Sequence, residues 1–372
     1  MRILHLSDLH LGKRIFETSM IGEQRVILRQ ALEMARQADL TVIAGDVYDR
    51  PVPPAEAVAL LDEFLAGMHA QGSPVAIVSG NHDSAERVAF GDALFAQSGV
   101  YLSPVYDGHV RRVTMSDAYG PVHVYLLPFV KPAHVRAALG DEDIEGYTAA
   151  LRAAVAAMQP ESGVRSVLVA HQFVTGGTRS ESEEIAVGGL DNVDADVFGP
   201  FCYVALGHLH AAQSLCGGRV RYSGAPLAYA FSECGDTKGA LLVELDGEGV
   251  ARVQQLPFTP LHAMRRMRGS FDALLDPARA SEDYLQITLT DEDDIPDAAR
   301  KLRQVYPNLL QVCCDNARTR AARPDFSRET AAQRSPMALF EELFTLQNGA
   351  PMTPLQRGML SGMMEKIWED EP

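Results

Sequence analysis

A chain of 372 residues, 47% hydrophobic and 22% charged, has the composition of a folded globular protein larger than one average domain. Its formal net charge of −16 argues against non-specific nucleic-acid binding as its main business. No apolar run reaches the roughly 18 residues of a membrane-spanning helix, and five cysteines without a CxxC pair suggest neither a disulfide framework nor a zinc ribbon. Met1-Arg2-Ile3 enters a strand directly, so no signal peptide and no membrane are expected, and a reducing cytoplasm fits.

Three short apolar runs open the chain, at residues 3–6, 40–44 and 75–78, each followed by an acidic motif. The motifs are Asp8-Leu9-His10 in LSDLHLG, Gly45-Asp46 in VIAGDVYD and Gly80-Asn81-His82-Asp83 in VSGNHDS. Helical patterns separate or follow the runs (within 12–38, at 55–70 and at 84–95), so the runs read as buried parallel strands of βαβ units. Residues 100–131 alternate in strand fashion and suggest a second sheet packed against the first. A helix over 141–158 precedes a buried strand at 164–170, which delivers His171. The polar, Gly-rich loop 175–189 suits a lid or a substrate-contacting element. Residues 203–206 form a further strand that delivers Gly207-His208-Leu209-His210, and 220–223 and 239–245 close the core.

Beyond Pro257 the character changes. Residues 261–316 hold a strand (284–289), an acidic turn, a helix (296–306) and another strand (309–313), enough for a small α+β module. Residues 317–335 are polar and read as a linker. Two short helices follow, at 336–347 and 353–369, with apolar faces made of Leu339, Phe340, Leu343 and Phe344, then Leu355, Met359, Leu360, Met363, Met364, Ile367 and Trp368. Helices this short cannot bury such faces alone. They dock back on the core, or they are offered to a partner.

In open α/β sheets the chemistry sits past the carboxyl ends of the strands, where the motifs fall. Taken singly, Asp8 reads as a helix cap, Gly45-Asp46 as a turn and Asn81-His82 as a loop. Together, Asp8, His10, Asp46, Asn81, His171, His208 and His210 are too many ligands for one four-coordinate cation. They suffice for two cations that share a carboxylate, with Asp46 as the natural bridge. Their oxygen and imidazole donors suit Mn, Fe or Zn. Acidic ligands lower the formal charge while bound dications reverse the local sign, so the net charge is compatible with a metal-dependent phosphoesterase. His82 stands beside the ligands with Asp83 next to it, as expected of a general acid oriented by a carboxylate, or of a hydrogen bonder behind the ligands. His5, His109, His123, His134 and His262 lack motif context and are expected to be structural or exposed. Two cations 3.5–4 Å apart promote in-line displacement at phosphorus, so the pattern specifies phosphoester hydrolysis.

D-x-H, G-D-x-x-D, G-N-H-D, a lone His and G-H-x-H in this order resemble the calcineurin-like metallophosphoesterase superfamily. ILHLSDLHLGKRIF, AHQFVTGG, YVALGHLH, RYSGAPLAYAFSE with Lys238, and YPNLLQV narrow the resemblance to the SbcD family of nuclease subunits, over nearly the whole chain. The resemblance implies an α/β fold: a two-sheet sandwich flanked by helices (1–260), a small α+β capping domain over the DNA groove (261–316), a linker (317–335) and a C-terminal helix pair (336–372). It implies Mn²⁺, with Mg²⁺ or another divalent ion as substitute, held by Asp8, His10, Asp46 and His210 at one position and by Asp46, Asn81, His171 and His208 at the other. His82 becomes the transition-state histidine and Asp83 its orienter.

The same resemblance implies a 3′ to 5′ exonuclease and hairpin- or end-processing endonuclease of double-strand-break repair, acting at the nucleoid. Its partners are an SbcC-type coiled-coil ATPase bound by the terminal helices, double-stranded DNA ends and hairpins, and a second copy of the chain through the helices near 55–70 and 84–97. Lys13, Arg14, Arg179, Arg265, Arg266 and Arg268 are candidate phosphate contacts. Ala225 in SGAP departs from the family's SGSP and removes one hydroxyl. The rival readings are a stand-alone phosphatase or cyclic-nucleotide phosphodiesterase of the same superfamily, and a non-catalytic subunit that tethers DNA ends.

Overall fold

The computed structural model, which describes residues 1–180, 182–183, 192–317, 319, 336–348 and 350–369, is built on two six-stranded sheets. In chain order these strands are β1 (Arg2–Leu6), β2 (Leu40–Ala44), β3 (Val75–Val78), β4 (Val100–Leu102), β5 (Arg111–Asp117) and β6 (Gly120–Leu126). Then come β7 (Arg165–His171), β8 (Tyr203–Gly207), β9 (Gln213–Leu215), β10 (Val220–Tyr222), β11 (Gly239–Leu245) and β12 (Val250–Pro257). The first sheet has the order β12-β11-β1-β2-β3-β4 and the second β9-β10-β8-β7-β6-β5. Each has a parallel run, β1-β2-β3-β4 in the first and β6-β7-β8-β10 in the second; the first is antiparallel at one edge and the second at both.

Alternation along the strands sets the layers, because successive side chains leave opposite faces. Ile3, Val42, Ala44, Ala76 and Val78 of the first sheet meet Val122, Val124, Val167, Val169 and Ala205 of the second. Their neighbours point outward. Leu4, Leu6, Ile43 and Ile77 pack on Ile27, Leu28, Leu60, Phe64 and Met68 of helices α1 (Ile21–Ala35) and α2 (Ala55–Ala70). Tyr125, Leu168, Ala170, Val204 and Leu206 pack on Val135, Ala150, Leu151 and Val155 of α3 (Pro132–Leu139) and α4 (Gly146–Met158). The result is a helix–sheet–sheet–helix sandwich. His5 shares the inner face of β1. Tyr203 Oη lies 2.9 Å from its Nδ1 and the Leu206 carbonyl 3.1 Å from its Nε2, and burial drives its pKa to about 3, so it is a neutral, satisfied core residue.

Two helices differ from the sequence pattern. The segment expected as one helix over 84–95 is two single turns, Ala85–Val88 and Asp92–Phe95, because Gly91 between them sits at φ 74°. The helix expected over 141–158 begins only at Gly146, and α3 precedes it in a stretch that the apolar residues before Pro132 make look extended.

Residues 264–314 form a third sheet, parallel throughout, of β13 (Met264–Gly269), β14 (Tyr284–Leu289) and β15 (Leu309–Cys314). Phe271, Leu274, Leu285, Ile287, Leu302 and Tyr306 give it a small core of its own, and the helix expected over 296–306 shortens to Ala298–Leu302. This module and the sandwich belong to one compact unit, residues 1–183 with 192–316. Glu23, buried in the first turn of α1, accepts from Leu261 N–H (2.8 Å) and pairs with the His262 ring (2.6 Å), so the module is seated on α1.

A second unit comprises 184–191 and 317–372. Within it α5 (Pro336–Asn348) and α6 (Pro354–Glu369) are joined by an Arg357–Glu341 ion pair of 2.8 Å, and Leu339, Phe340, Leu343, Leu355, Met359 and Met363 are exposed. Of the expected linker only residues 317 and 319 are described. The loop 175–189 is described as far as Glu183, Glu181 excepted, and the side chains of Ile367 and Trp368 lie outside the described residues. No helix among the described residues is long and apolar enough to cross a membrane.

Candidate metal centre

Five strand ends deliver the seven expected ligands to one place. Asp8 and His10 follow β1, Asp46 follows β2, Asn81 follows β3, His171 ends β7, and His208 and His210 follow β8. The loops lash one another: Asp8 N–H donates to the Gly45 carbonyl (3.0 Å) and His10 N–H to that of Asp46 (2.9 Å). His208 N–H donates to Asp8 Oδ1 (3.0 Å) and His82 N–H to Asp46 Oδ1 (3.0 Å). Asp8, His10 and Asp46 hold left-handed backbone, at φ 53°, 44° and 49°, a conformation that costs about 1–3 kcal/mol per residue outside glycine. Such strain gathers where side chains are aimed for function. The glycines before Asp46 and Asn81 are there for clearance as well as turning. A Cβ on Gly45 would lie 2.3 Å from His171 Nδ1, and one on Gly80 2.1 Å from Asp46 Oδ1.

The donor atoms converge. His171 Nδ1–H donates to the Ala44 carbonyl (2.9 Å), which leaves Nε2 facing Asn81 Oδ1 at 2.9 Å and Asp46 Oδ2 at 3.3 Å. His208 Nδ1 lies 3.1 Å from the same Asn81 oxygen. His10 Nε2 and His210 Nε2 face each other at 3.1 Å, and His10 Nε2 is 3.5 Å from Asp46 Oδ2. Asp8–His10–His210, Asp8–Asp46–His171 and His10–Asp46–His82 each offer ligand atoms within 4.8 Å of one another. Asp46 was the expected shared carboxylate; Asp8 also stands in two of these groups.

A divalent cation fits this set. Asp8 Oδ2 and His208 Nε2 are buried without a hydrogen-bond partner, an arrangement that costs about 1–3 kcal/mol per group unless something else satisfies them. Burial lowers His10 and His208 well below the ordinary imidazole pKa, so both present lone pairs. Burial also opposes charge on His171 and Asp46, but their mutual proximity wins, raising His171 to about 9 and lowering Asp46 well below the carboxylate range.

The expected contact between His82 and Asp83 is not the one the structure shows. The Asp83 carboxylate does not orient the imidazole: it accepts the N–H groups of Val47 (3.0 Å), Tyr48 (2.8 Å) and Gly80 (2.8 Å), pinning the loop that carries Asp46. His82 Nδ1 lies 3.2 Å from the Asp49 carbonyl, and its Nε2 lies 4.0 Å from Asp46 Oδ2. Being next in sequence to His82 had suggested the wrong partner, because the turn directs the Asp83 carboxylate back toward β2 and β3.

Several residues around the centre have no role assigned by the sequence pattern, although Asp49, Tyr229, Glu233 and Lys238 lie inside the quoted motifs. Asp49 Oδ1 lies 3.6 Å from His10 Nδ1 and 2.7 Å from Lys13 Nζ. Its place as the last residue of G-D-x-x-D, on the same loop as Asp46, was the available clue. Tyr229 donates to the Leu9 carbonyl (2.6 Å) and lays its ring edgewise to His10 and His210. Ser182, Glu183, Glu233 and Lys238 surround His210. Of the candidate phosphate contacts, Lys13 is engaged with Asp49, Arg179 lies 3.8 Å from the Phe173 ring centre, Arg265 and Arg268 pair with Asp283 and Asp315, and Arg14 is exposed.

A double sandwich of two sheets, each with a parallel run, and a His/Asp/Asn centre across their strand ends defines a metallophosphoesterase. The family model described as calcineurin-like phosphoesterase matches residues 1–211, and one described as Type 5 capsule protein repressor C-terminal domain matches 260–348. The D subunit of the nuclease SbcCD from Staphylococcus epidermidis is 31% identical over 321 residues, 84% of this chain and 85% of that protein. Its namesake in Staphylococcus saprophyticus subsp. saprophyticus is 32% identical over 84% of each chain. A solved structure, TT1561 of Thermus thermophilus, aligns at 12% identity and TM-score 0.36 over 68% of this chain and 98% of its own. The chain belongs to the SbcD family of calcineurin-like phosphoesterases.

Proposed function

We propose that this chain is a DNA nuclease that hydrolyses phosphodiesters with two divalent cations, Mn²⁺ or Mg²⁺. In this reading it resects double-stranded ends 3′ to 5′, opens hairpins and blocked ends, and works with an SbcC-type ATPase. The observation that carries the reading is the position of one oxygen. Asp46 Oδ2 lies 3.5 Å from His10 Nε2 and 3.3 Å from His171 Nε2, between the two halves of the donor cluster. Asp8, His10, Asp46 and His210 would hold one cation, and Asp46, Asn81, His171 and His208 the other.

Bound there, a cation pair supplies water activation and neutralises the charge that builds on the phosphoryl oxygens. The chain's own groups do the rest. Asp46 and Asp8 bring negative charge to a buried site, and the backbone bonds between their loops fix its position before substrate arrives. His82 is partly exposed at the rim of the cluster, and the Asp49 carbonyl holds its Nδ1–H. Its Nε2 lies on the side of Asp46, 4.0 Å from Oδ2, and the imidazolium form would give its proton there to the departing sugar oxygen.

Support for a nucleic-acid substrate and for a partner subunit comes from the two staphylococcal relatives, whose name makes them subunits of a nuclease called SbcCD. The exposed apolar residues of α5 and α6 supply a face for that partner. Phe90, Leu94 and Phe95, also exposed, support self-association through the segment after the third motif. The test is hydrolysis of end-labelled duplex DNA with Mn²⁺ or Mg²⁺, beside a chromogenic phosphodiester and a phosphomonoester. Release of nucleotides from the duplex is the expected result. Rapid monoester turnover with intact DNA would make the chain a phosphatase on the same scaffold.

A further inference from the structure

Every polar atom of His210 except the one aimed at the metal centre is gripped by a residue outside the ligand motifs. Its N–H donates to Glu183 Oε1 (2.5 Å), and its carbonyl accepts from Lys238 Nζ (2.9 Å) and from Ala225 N–H (3.1 Å). Its Nδ1 lies 2.6 Å from Ser182 Oγ and 3.6 Å from Glu233 Oε1. The Ser182 hydroxyl also contacts Glu233 Oε1, while Lys238 Nζ holds Glu233 Oε2 at 2.6 Å. Glu233 is 1% exposed.

We propose that Glu233, with Lys238 and Ser182, forms a positioning group that fixes the tautomer and aim of His210 and so sets the affinity of the cation site made by Asp8, His10 and His210. The proposal rests on the two-cation reading above. One direction of the hydrogens satisfies Glu233, Ser182 and His210 together. Glu233, neutralised by Lys238, accepts from the Ser182 hydroxyl, so Ser182 Oγ accepts from His210 Nδ1–H. The proton is thereby kept on Nδ1 and the lone pair on Nε2, the atom that faces His10 Nε2 at 3.1 Å. Within the centre, two other histidines rest their Nδ1 on neutral groups, His171 on the Ala44 carbonyl and His82 on that of Asp49. A carboxylate behind a ligating imidazole makes it a stronger donor, and losing such a partner weakens metal affinity about 10–100-fold.

The group is assembled from three separate segments: the loop after β7 (Ser182, Glu183), the turn Phe231–Glu233, and Lys238 at the entry to β11. The structure thus gives a specific task to the described part of the Gly-rich loop: Ser182 and Glu183 hold a ligand.

The test is calorimetric titration of Mn²⁺ into the full chain, comparing wild type with Ser182→Ala and with the double variant Glu233→Gln/Lys238→Met. The double variant removes both buried charges together, so neither is stranded. Wild type is expected to bind two Mn²⁺. Both variants should lose about 10–100-fold at one site, keep the other, and recover turnover when Mn²⁺ is raised to saturate the weakened site. Wild-type affinity at both sites in Ser182→Ala, which touches no charge and leaves the fold intact, overturns the proposal while the two-cation reading stands. A wild-type chain that binds no Mn²⁺ sinks both.

Discussion

Replacing Asp83 separates a residue that holds a loop from one that orients a proton donor. Its two oxygens take three backbone N–H groups, those of Val47 and Gly80 on Oδ2 and that of Tyr48 on Oδ1, at 2.8–3.0 Å. In Asp83→Ala all three lose a charged acceptor. Each stranded donor is worth about 1–3 kcal/mol, reduced because Asp83 itself is half-buried and water can enter where its carboxylate stood. Removing the carboxylate also relieves its repulsion with Asp46, so the net loss is about 2–4 kcal/mol. Asp83→Asn can keep the two donors on one oxygen but turns an amide N–H₂ toward Tyr48 N–H, for a loss of about 1–2 kcal/mol. Urea unfolding of wild type and both variants in EDTA, which keeps cation binding out of the comparison, should rank Ala below Asn below wild type. If Asp83→Asn kept the wild-type midpoint while losing turnover as completely as a His82 variant, Asp83 would be orienting the imidazole and the loop-pinning account would fail.

Three further outcomes are expected. His82→Ala should lower DNA turnover by about 10²–10⁴ while Mn²⁺ binding, read by calorimetry, stays at the wild-type level; undiminished nuclease activity would remove His82 from the reaction. Asp117, gripped by Arg165 and by the Met1 amino group, has its pKa pulled far down, so its contribution to stability is complete above about pH 4 and fades as pH falls through that value toward its folded pKa. Asp117→Asn should cost about 3 kcal/mol at pH 7, by leaving the buried Arg165 uncompensated, and should flatten the acid limb of the stability curve. A variant with the same acid sensitivity as wild type would contradict this. Deleting residues 336–372 should abolish co-purification with an SbcC-type ATPase and leave Mn²⁺-dependent cleavage of a chromogenic phosphodiester intact, and a retained complex would mean the partner binds elsewhere.

The strands of the two sheets that carry the centre could be read in the sequence because two independent patterns coincide there. Residues 3–6, 40–44, 75–78 and 203–206 are apolar at every position but His5 and Thr41, as strands covered on both faces must be, and each is followed at once by its ligands. Helix α2 stood out because Pro54 fixes its start and Gln71-Gly72 its end. The misses have physical causes too. The strand β13 reads as MRRMRG, which looks like a phosphate-contacting patch; it is an edge strand whose exposed arginines, Arg265 and Arg268, pair with Asp283 and Asp315. β12 was overlooked because an edge strand buries little and its composition, VARVQQLP, is mixed.

The ligands were legible. Of their supports, Glu233 and Lys238 entered only inside a family motif with no role attached, and Ser182 and Glu183 only as part of a polar loop. Glu233 and Lys238 act on His210 from 23 and 28 residues away in sequence, and Ser182 and Glu183 from 28 and 27, without a local periodicity to betray them. Asp83 was misread for the opposite reason. Adjacency suggested His82 as its partner, whereas the turn's geometry gave its carboxylate to the backbone.

Electron paramagnetic resonance of the full chain with two equivalents of Mn²⁺ tests most directly whether Asp46 would hold two cations in one centre. The expected result is the signal of an exchange-coupled Mn²⁺ pair in wild type, collapsing to an isolated Mn²⁺ spectrum in Asp46→Asn. A wild-type spectrum of isolated, uncoupled Mn²⁺ at two equivalents would contradict it.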